Sequence, residues 1–148
     1  MSIDAIQLTD RQFRPFGKLI HYAGKEKKGK ARNLWRILHR ETAKVGWRVA
    51  YLVLRDRSVG RLESHPDSDE TFEPVRGAAV LIVAPPDHPE EMTFFRLDAP
   101  VIVFKGVWHG VISLTPETEL KITENLNVYS RVHKLGKRIG ISDKQNKL

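Results

Sequence analysis

Two short stretches of the sequence carry side chains that together could bind a divalent metal ion. Glu63, His65 and Glu70 lie close together, and His109 follows in the sequence GVWHG. If Glu63 and His65 belong to a strand, their side chains point to one face, because residues two apart share a face. The chain has no cysteine, so the ligands must be His, Asp or Glu. Two imidazoles and two carboxylates suit Mn, Fe, Ni, Co or Zn, with positions left open for a substrate.

Each of these four residues also has a purely structural interpretation. Glu63 could be the surface partner of a nearby arginine, and His65 could cap the turn that follows it. Glu70 could be a solvated turn residue, and His109 could be a buried histidine with ordinary hydrogen bonds. The metal hypothesis therefore requires that the four side chains converge.

The elements that would position these residues are short strands. Residues 47–55, WRVAYLVLR, are rich in β-branched and aromatic residues, which favours a strand. The run AAVLIVA at 78–84 is apolar throughout and short, which predicts a fully buried strand. Alternation and turn signals predict further strands at 19–22, 34–40, 92–97, 100–105, 107–114 and 119–130. So many short strands predict an all-β, single-domain β-barrel or double-sheet jelly roll with few short helices.

A single helical turn is predicted near the start of the chain. Thr9 is a suitable N-cap for residues 10–13, and Pro15 ends the turn. We expect Phe13 and Phe16 to pack beneath the barrel.

Basic residues are concentrated at two places. The net charge is +7, and much of it lies in residues 25–32 and in the segment that begins at Arg131. Such clusters attract nucleic acids or anionic surfaces, but no aromatic residues alternate with these lysines as a single-strand binding surface would require. We therefore interpret them as solvated charge and expect no nucleic-acid partner. The predicted organisation is a barrel domain over 1–130 and a basic, loosely held tail over 131–148.

The sequence contains no signal for a membrane. No apolar run approaches the roughly 20 residues that a membrane span needs, and MSIDAIQLTD lacks the pattern of a secretory signal. The absence of cysteine fits a reducing compartment. We expect a cytoplasmic protein without a membrane partner.

The candidate ligands resemble the two sequence motifs of the cupin superfamily. The first motif, with a glutamate in place of its first histidine, is matched by Glu63, His65, Glu70 and Gly77. The centre of the second motif, with phenylalanine in place of proline, is matched by Phe104, Gly106 and His109. The resemblance implies a small cupin-like β-barrel, also called a double-stranded β-helix.

Within that superfamily the chain resembles the ureidoglycolate lyases, also called ureidoglycolate hydrolases. The segments that carry the likeness are FRPFGKLI at 13–20, LESHPDSDETFEPVRGAAVLIVA at 62–84 and VWHG at 107–110. Three positions where the family has histidine or proline are occupied here by Phe104, Gly110 and Val111. The pocket implied for this chain is therefore poorer in imidazole than the family's.

The resemblance implies a metal-dependent lyase of the amidine-lyase type, acting in purine and allantoin catabolism. Such an enzyme eliminates urea from ureidoglycolate to give glyoxylate, or performs a related reaction on a small hydroxy acid. Glu63, His65, Glu70 and His109 would be metal ligands and catalytic residues, and any one left unliganded could act as general base.

Other roles implied by the resemblance concern the substrate and a partner subunit. Arg76, Arg96 or Lys105 could bind the substrate carboxylate. Trp108 could stack on the substrate or belong to the core. A second copy of the chain is the expected partner, giving a homodimer. The alternative to an enzyme is a non-catalytic cupin that binds a small carboxylate or sugar, and a basic nucleic-acid-associated barrel is a third hypothesis.

Overall fold

The computed structural model describes residues 3–22 and 33–141 of the 148-residue chain. In these ranges the chain forms one short helix, α1 (Asp10–Phe13), and ten strands. The strands are β1 (Gly17–Leu19), β2 (Trp47–Leu54), β3 (Ser58–Ser64), β4 (Glu70–Arg76), β5 (Ala79–Ala84), β6 (Thr93–Arg96), β7 (Val101–Val103), β8 (Trp108–Ser113), β9 (Thr118–Asn125) and β10 (Arg131–Gly140). No helix in this part of the chain combines the length and hydrophobicity needed to cross a membrane.

The strands form two five-stranded antiparallel sheets. One sheet has the order β1-β7-β4-β9-β2, and the other has the order β10-β3-β8-β5-β6. The strands β2 to β9 thus have the arrangement of a jelly roll built from two Greek keys, an architecture that includes the cupins. The predicted all-β jelly roll is confirmed.

The main hydrophobic core lies between the two sheets. Leu81 and Val83 of β5 and Phe95 of β6 belong to it. The alternate residues of β5, Val80 and Ile82, belong to a second cluster on the other face of the same sheet. β5 is therefore buried on both faces, which explains why its sequence is apolar throughout.

The helical turn α1 closes one part of the main core. The Thr9 side chain accepts a hydrogen bond from the backbone N–H of Gln12 at 3.2 Å, as an N-cap does. Phe13 and Phe16 are buried, and the rings of Phe13 and Phe95 meet edge to face with centroids 5.2 Å apart. The predicted helical turn and the burial of both phenylalanines are confirmed.

The prediction of a strand at 34–40 is wrong. Residues 33–46 contain neither helix nor strand, and Trp35 is 89% exposed. A strand requires a neighbour that completes its backbone hydrogen bonds, and none of the described strands pairs with this segment. The alternation in LWRILHR is typical of a strand, but within the described chain this segment has no partner and does not form one.

The expectation of a loosely held tail from residue 131 is also wrong as far as Gly140. Residues Arg131–Gly140 form β10, which pairs antiparallel with β3. Ile139 is 5% exposed and packs in the second hydrophobic cluster, so the strand is anchored although it carries several lysines and arginines. The rest of the predicted tail, 142–148, and the basic loop 25–32 lie outside the described residues.

Candidate metal centre

Backbone contacts bring three of the four predicted ligands to one place between the sheets. His65 directly follows β3, Glu70 is the first residue of β4, and His109 lies in β8. Ser64 Oγ donates to the carbonyl oxygen of Gly106, and the N–H of Gly106 donates to the carbonyl oxygen of His65, both at 2.9 Å. Gly106 has a φ of +79°, a conformation that favours glycine. This turn holds the start of β8, and with it His109, next to the end of β3.

The three side chains are buried and their ligand atoms converge. His65, Glu70 and His109 are 6%, 7% and 7% exposed. Glu70 Oε2 lies 2.9 Å from His109 Nε2 and 3.3 Å from His65 Nε2. One ligand atom from each residue lies within 4.8 Å of the other two. Two imidazole nitrogens and one carboxylate oxygen around a common point form a suitable ligand set for a divalent ion.

The second nitrogen of each imidazole faces a backbone carbonyl. His109 Nδ1 lies 3.1 Å from the carbonyl oxygen of Val107, and His65 Nδ1 lies 3.2 Å from that of Tyr129. His65 Nδ1 also lies 3.1 Å from Ser130 Oγ. A carbonyl oxygen only accepts hydrogen bonds, so the tautomer that satisfies both carbonyls has a hydrogen on each Nδ1, and the Ser130 hydroxyl can accept from His65 as well. In the neutral imidazoles each Nε2 then presents a lone pair towards Glu70. Histidines that bind metals commonly donate their other N–H in this way.

Glu70 needs a positive charge beside it. Its Oε2 accepts no hydrogen bond from the described residues, although two ring nitrogens are close. A carboxylate oxygen and two nitrogen lone pairs repel one another, so either a proton on an imidazole or a metal ion must lie between them. This orphaned and buried oxygen, together with the two oriented imidazoles, fits a divalent metal ion. Three protein ligands would leave positions for water or substrate, as in catalytic sites.

Without a metal, protons fill this role. Burial alone would raise the pKa of Glu70, but the imidazoles of His109 and His65 outweigh burial and hold that pKa at about 2. Burial alone would lower the pKa of His65, but the Glu70 carboxylate and the Tyr129 carbonyl raise it above the usual value. A metal ion would therefore compete with a proton for the same place.

Glu63 does not join the cluster of three. It is paired in register with His109 between β3 and β8, so both side chains point to the same face of the sheet. Its side chain is 40% exposed, and its Oε1 lies 3.5 Å from an Arg61 nitrogen. Glu63 lines the same cavity as Glu70 and His109. The structure thus places it beside the cluster, with its carboxylate on the cavity side.

A further carboxylate near the site was not predicted. Glu124 of β9 is paired in register with Glu70 of β4, and its side chain is 8% exposed. Arg48 holds it through hydrogen bonds of 2.9 Å and 2.7 Å to Oε1. Two carboxylates directly opposite each other destabilise a sheet unless they are compensated. Arg48 compensates Glu124, which leaves the two imidazoles or a metal ion to compensate Glu70.

Two of the predicted substrate-binding residues lie elsewhere, in ion pairs. Arg76, at the end of β4, pairs with Glu119 and is 70% exposed. Lys105 pairs with Glu41, and its backbone N–H donates to Asp69 at 2.9 Å. Neither residue lines the cavity next to the cluster.

The third predicted substrate-binding residue, Trp108, is part of a hydrophobic cluster. It is 4% exposed, and its indole N–H donates to the carbonyl oxygen of Pro86 at 2.9 Å. The neighbouring His109 points to the opposite face of β8, since adjacent strand residues alternate. Of the two interpretations offered for Trp108, its position agrees with the core.

A cavity of about 740 Å³ opens in front of Glu70 and His109. Its apolar wall includes Leu52, Phe72 and Ile122, and its basic wall consists of Arg61, Lys134 and Arg138. The two residues of β10 were assigned to a solvated tail because the segment is rich in charge. Their only structural signal in the sequence was the pair of apolar residues nearby, Leu135 and Ile139.

Comparison with known proteins gives structural likeness only. No protein-family model matches the chain, and no curated protein matches its sequence. A sugar 3,4-ketoisomerase from Thermoanaerobacterium thermosaccharolyticum in complex with TDP is similar, with a TM-score of 0.44, 18% identity and coverage of 54% of this chain and 59% of that chain. A dTDP sugar isomerase from Desulfovibrio desulfuricans has a TM-score of 0.41 and 13% identity, with 86% of each chain covered.

A mutant of the Bacillus subtilis oxalate decarboxylase, an enzyme with Mn(II) centres, is a third similar structure. It has a TM-score of 0.47 and 18% identity, with 62% of this chain and 24% of that chain covered. The match thus spans less than two thirds of the ketoisomerase chain and less than two thirds of the decarboxylase chain. The fold of the present chain rests on its own strand order.

Proposed function

We propose that the chain is a small cupin-type enzyme that uses one divalent metal ion, held by His65, Glu70 and His109. The observation that carries the proposal is the buried Glu70 Oε2, which faces two Nε2 atoms at 2.9 Å and 3.3 Å and accepts no hydrogen bond within the described chain. Three ligands leave the ion open to a substrate from the cavity. Ions from Mn to Zn suit this ligand set.

The proposed reaction is an elimination from a small hydroxy acid or ureide. The bound ion would supply Lewis acidity, which lowers the pKa of a coordinated hydroxyl group. Glu63 is the predicted site residue left outside the cluster, and it faces the same cavity. We assign it as the general base that takes the hydroxyl proton and returns it to the leaving nitrogen, a role typically worth about 10²–10⁴-fold in rate.

Ureidoglycolate is the first substrate to assay. The segments at 13–20, 62–84 and 107–110 that resemble the ureidoglycolate lyases support this choice, as does the cavity-side Glu63. The expected products are glyoxylate and urea. A role in cytoplasmic ureide catabolism is part of the same proposal.

Elemental analysis of purified protein tests the metal centre. Wild type should contain a near-stoichiometric transition metal after incubation with Mn, Fe, Ni, Co or Zn, and His65→Ala/His109→Ala should contain none. The matched control is His88→Ala, because His88 belongs to an exposed His/Glu group and should leave the metal content unchanged. No metal in wild type, or equal metal in all three proteins, would contradict the proposal.

The alternative is a non-catalytic cupin that binds a small carboxylate or sugar in the same cavity. The basic wall and the apolar lining of the cavity would serve such a ligand equally well. Turnover separates the two: a metal-loaded wild type that binds a ureide or hydroxy acid without converting it supports the alternative.

We also propose a homodimer, formed through the outer face of β2. This β2 apolar face consists of Trp47, Val49, Tyr51 and Val53, which are 72%, 53%, 56% and 43% exposed. β2 is an edge strand of its sheet, so its outer backbone edge is also available within the described chain. A second copy offers the same apolar face and the same edge, and a two-fold axis would cover both.

A further inference from the structure

We propose that the cavity binds its ligand through an oxyanion, a carboxylate or phosphate group, held by Lys134 and Arg138 of β10 next to Arg61 of β3. The anion site depends only on the cavity and its basic residues. Only the assignment of the ligand's other end to the metal centre rests on the proposed function.

The shape of β10 brings these residues to the cavity. Lys134 pairs with Arg61 and Ile139 pairs with Val59. Residues 135–138, the β10 bulge, therefore face the single residue Gly60. Bulges are common next to active sites, where they redirect a side chain. Here the bulge places Leu135 and Arg138 in the cavity wall.

Arg138 is held in one position at this wall. Its Nε donates to Ser58 Oγ at 3.1 Å, and one terminal nitrogen donates to the Ser58 carbonyl oxygen at 3.0 Å. The other terminal nitrogen lies only 3.0 Å from where a Cβ at Gly60 would be. The glycine thus provides the space across which the guanidinium lies. A guanidinium fixed on one side can offer its remaining N–H groups to an oxyanion.

The three basic side chains lie on neighbouring strands and are exposed to solvent, with the Arg61 side chain 65% exposed. Lys134 and Arg61 are directly opposite on neighbouring strands, where like charges destabilise a sheet. Arg61 has a carboxylate partner only at 3.5 Å, in Glu63. Within residues 3–22 and 33–141, Lys134 and Arg138 have no carboxylate within 4.0 Å. Asp56 also lines the cavity, but it forms no ion pair with either of them.

The rest of the cavity defines the chemical class of the ligand. Its volume of about 740 Å³ is in the range of small-molecule sites, about 300–1,000 Å³. The lining of the same cavity also includes the apolar residues Leu52, Phe72 and Ile122. We therefore expect a ligand with an oxyanion at one end and an apolar or neutral body. Its other end would reach Glu70 and His109.

Binding of three probes of similar shape to the isotope-labelled full chain, followed by NMR, tests this inference. The probes are benzoate, phenyl phosphate and benzyl alcohol. An anionic probe should bind at least about tenfold more tightly than the alcohol, as expected for charge-assisted hydrogen bonds, and should shift the amide signals of Gly60 and residues 134–138. Benzoate and phenyl phosphate form the two arms that identify the source of the oxyanion as carboxylate or phosphate. Equal binding of the alcohol and both anions would overturn the inference.

Variants locate the site. Lys134→Gln/Arg138→Gln should weaken binding of the preferred anion by about tenfold or more, whereas Lys137→Gln, a charge change in the same bulge that does not line the cavity, should leave it unchanged. An equal loss in Lys137→Gln would indicate general charge attraction and would contradict the site. If the double variant does not fold, the comparison of anions with alcohol on wild type decides.

The metal content of the same samples separates this inference from the proposed function. Lys134→Gln/Arg138→Gln should retain the metal of wild type. If wild type contains no metal and anion binding persists in chelator-treated protein, the proposed metal enzyme is contradicted and the anion site is supported. If wild type contains metal but shows no preference for anions, the metal centre is supported and the anion site is contradicted.

Discussion

At the residue scale, three buried side chains share a place that either a proton or a metal ion can occupy. The two Nδ1 atoms are fixed by the carbonyl oxygens of Val107 and Tyr129, so only the Nε2 atoms can respond. Sequence reasoning identified His65, Glu70 and His109 because the residue types and spacing were visible. It could not separate Glu63 from them, because facing the same side of a strand does not determine how far a side chain lies from a common point.

The affinity for the metal should fall as the solution becomes more acidic. The pKa of His65 is raised by Glu70, and a protonated imidazole cannot bind a metal. Affinity should be constant above the raised pKa of His65 and should decrease by about tenfold per pH unit below it for each proton that the metal displaces. Competition with a chromophoric chelator between about pH 5 and 9 measures this, and an affinity independent of pH would argue against imidazole ligands.

The free energy of unfolding of the metal-free chain should also depend on pH, but it should pass through a maximum. Glu70 has a lowered pKa, so its contribution is complete above 4.5, its value without the fold, and is lost as the pH falls towards about 2. His65 has a raised pKa, so its contribution is complete below 6.5 and is lost as the pH rises through the folded value. The ion pair therefore stabilises the fold most between 4.5 and 6.5.

Urea unfolding of chelator-treated wild type and Glu70→Gln tests this window. The difference in free energy of unfolding should be largest near the middle of the window and smaller on the alkaline side. The variant His88→Ala serves as a control, because the His88 side chain is 56% exposed and pairs with Glu90. A difference that keeps increasing towards alkaline pH would show that the pair is not formed.

At the element scale, the sequence indicated strands correctly where burial determined the pattern. β5 is buried on both faces and was predicted from its apolar run. The segment 34–40 alternates between apolar and polar residues, as a strand would, but has no partner in the described sheets. The segment of β10 is rich in charge but forms a strand. Pairing between distant segments decides both cases, and a local pattern contains no information about it.

Turn geometry at Gly77 gives a prediction at this scale. Gly77 has a φ of +82°, and a Cβ there would lie 2.4 Å from the carbonyl oxygen of Glu117. Gly77→Ala should therefore destabilise the fold by roughly 2–3 kcal/mol, combining backbone strain with a clash against backbone. Gly136→Ala is the control, because no atom lies within 4 Å of a Cβ at that position. Thermal and urea unfolding measure both, and equal effects would contradict the strained turn.

At the scale of the whole molecule, the number of short strands in the sequence was enough to predict the fold class. It was not enough to predict the order of the strands in the two sheets. Because Arg61, Lys134 and Arg138 are brought together by the pairing of β3 with β10, the basic wall was not visible in the sequence. The resemblance to cupins identified the candidate metal ligands through local motifs. The same resemblance suggested Arg76 and Lys105 as substrate contacts, but both residues lie in ion pairs away from the cavity.

The homodimer gives the prediction that belongs to this scale. Val49→Lys/Tyr51→Lys should shift the protein towards monomer, because it places charges on the β2 apolar face of both copies. Sedimentation velocity over a range of concentrations measures the change. Val132→Lys is the control, since Val132 is 49% exposed on β10, and a wild type that sediments as a monomer throughout would contradict the proposal.

The position of β10 in the chain has a consequence for how the site is assembled during synthesis. Tyr129, which accepts from His65, and the strand that carries Lys134 and Arg138 all follow β9 in the chain. A ribosome therefore releases the paired sheet strands β2 to β9 before the residues that orient His65 and complete the cavity. A nascent chain that has emerged only as far as β9 would hold Glu70 and His109 but could not yet fix His65. We expect metal loading to follow translation of this last described strand rather than to guide the folding of the earlier ones.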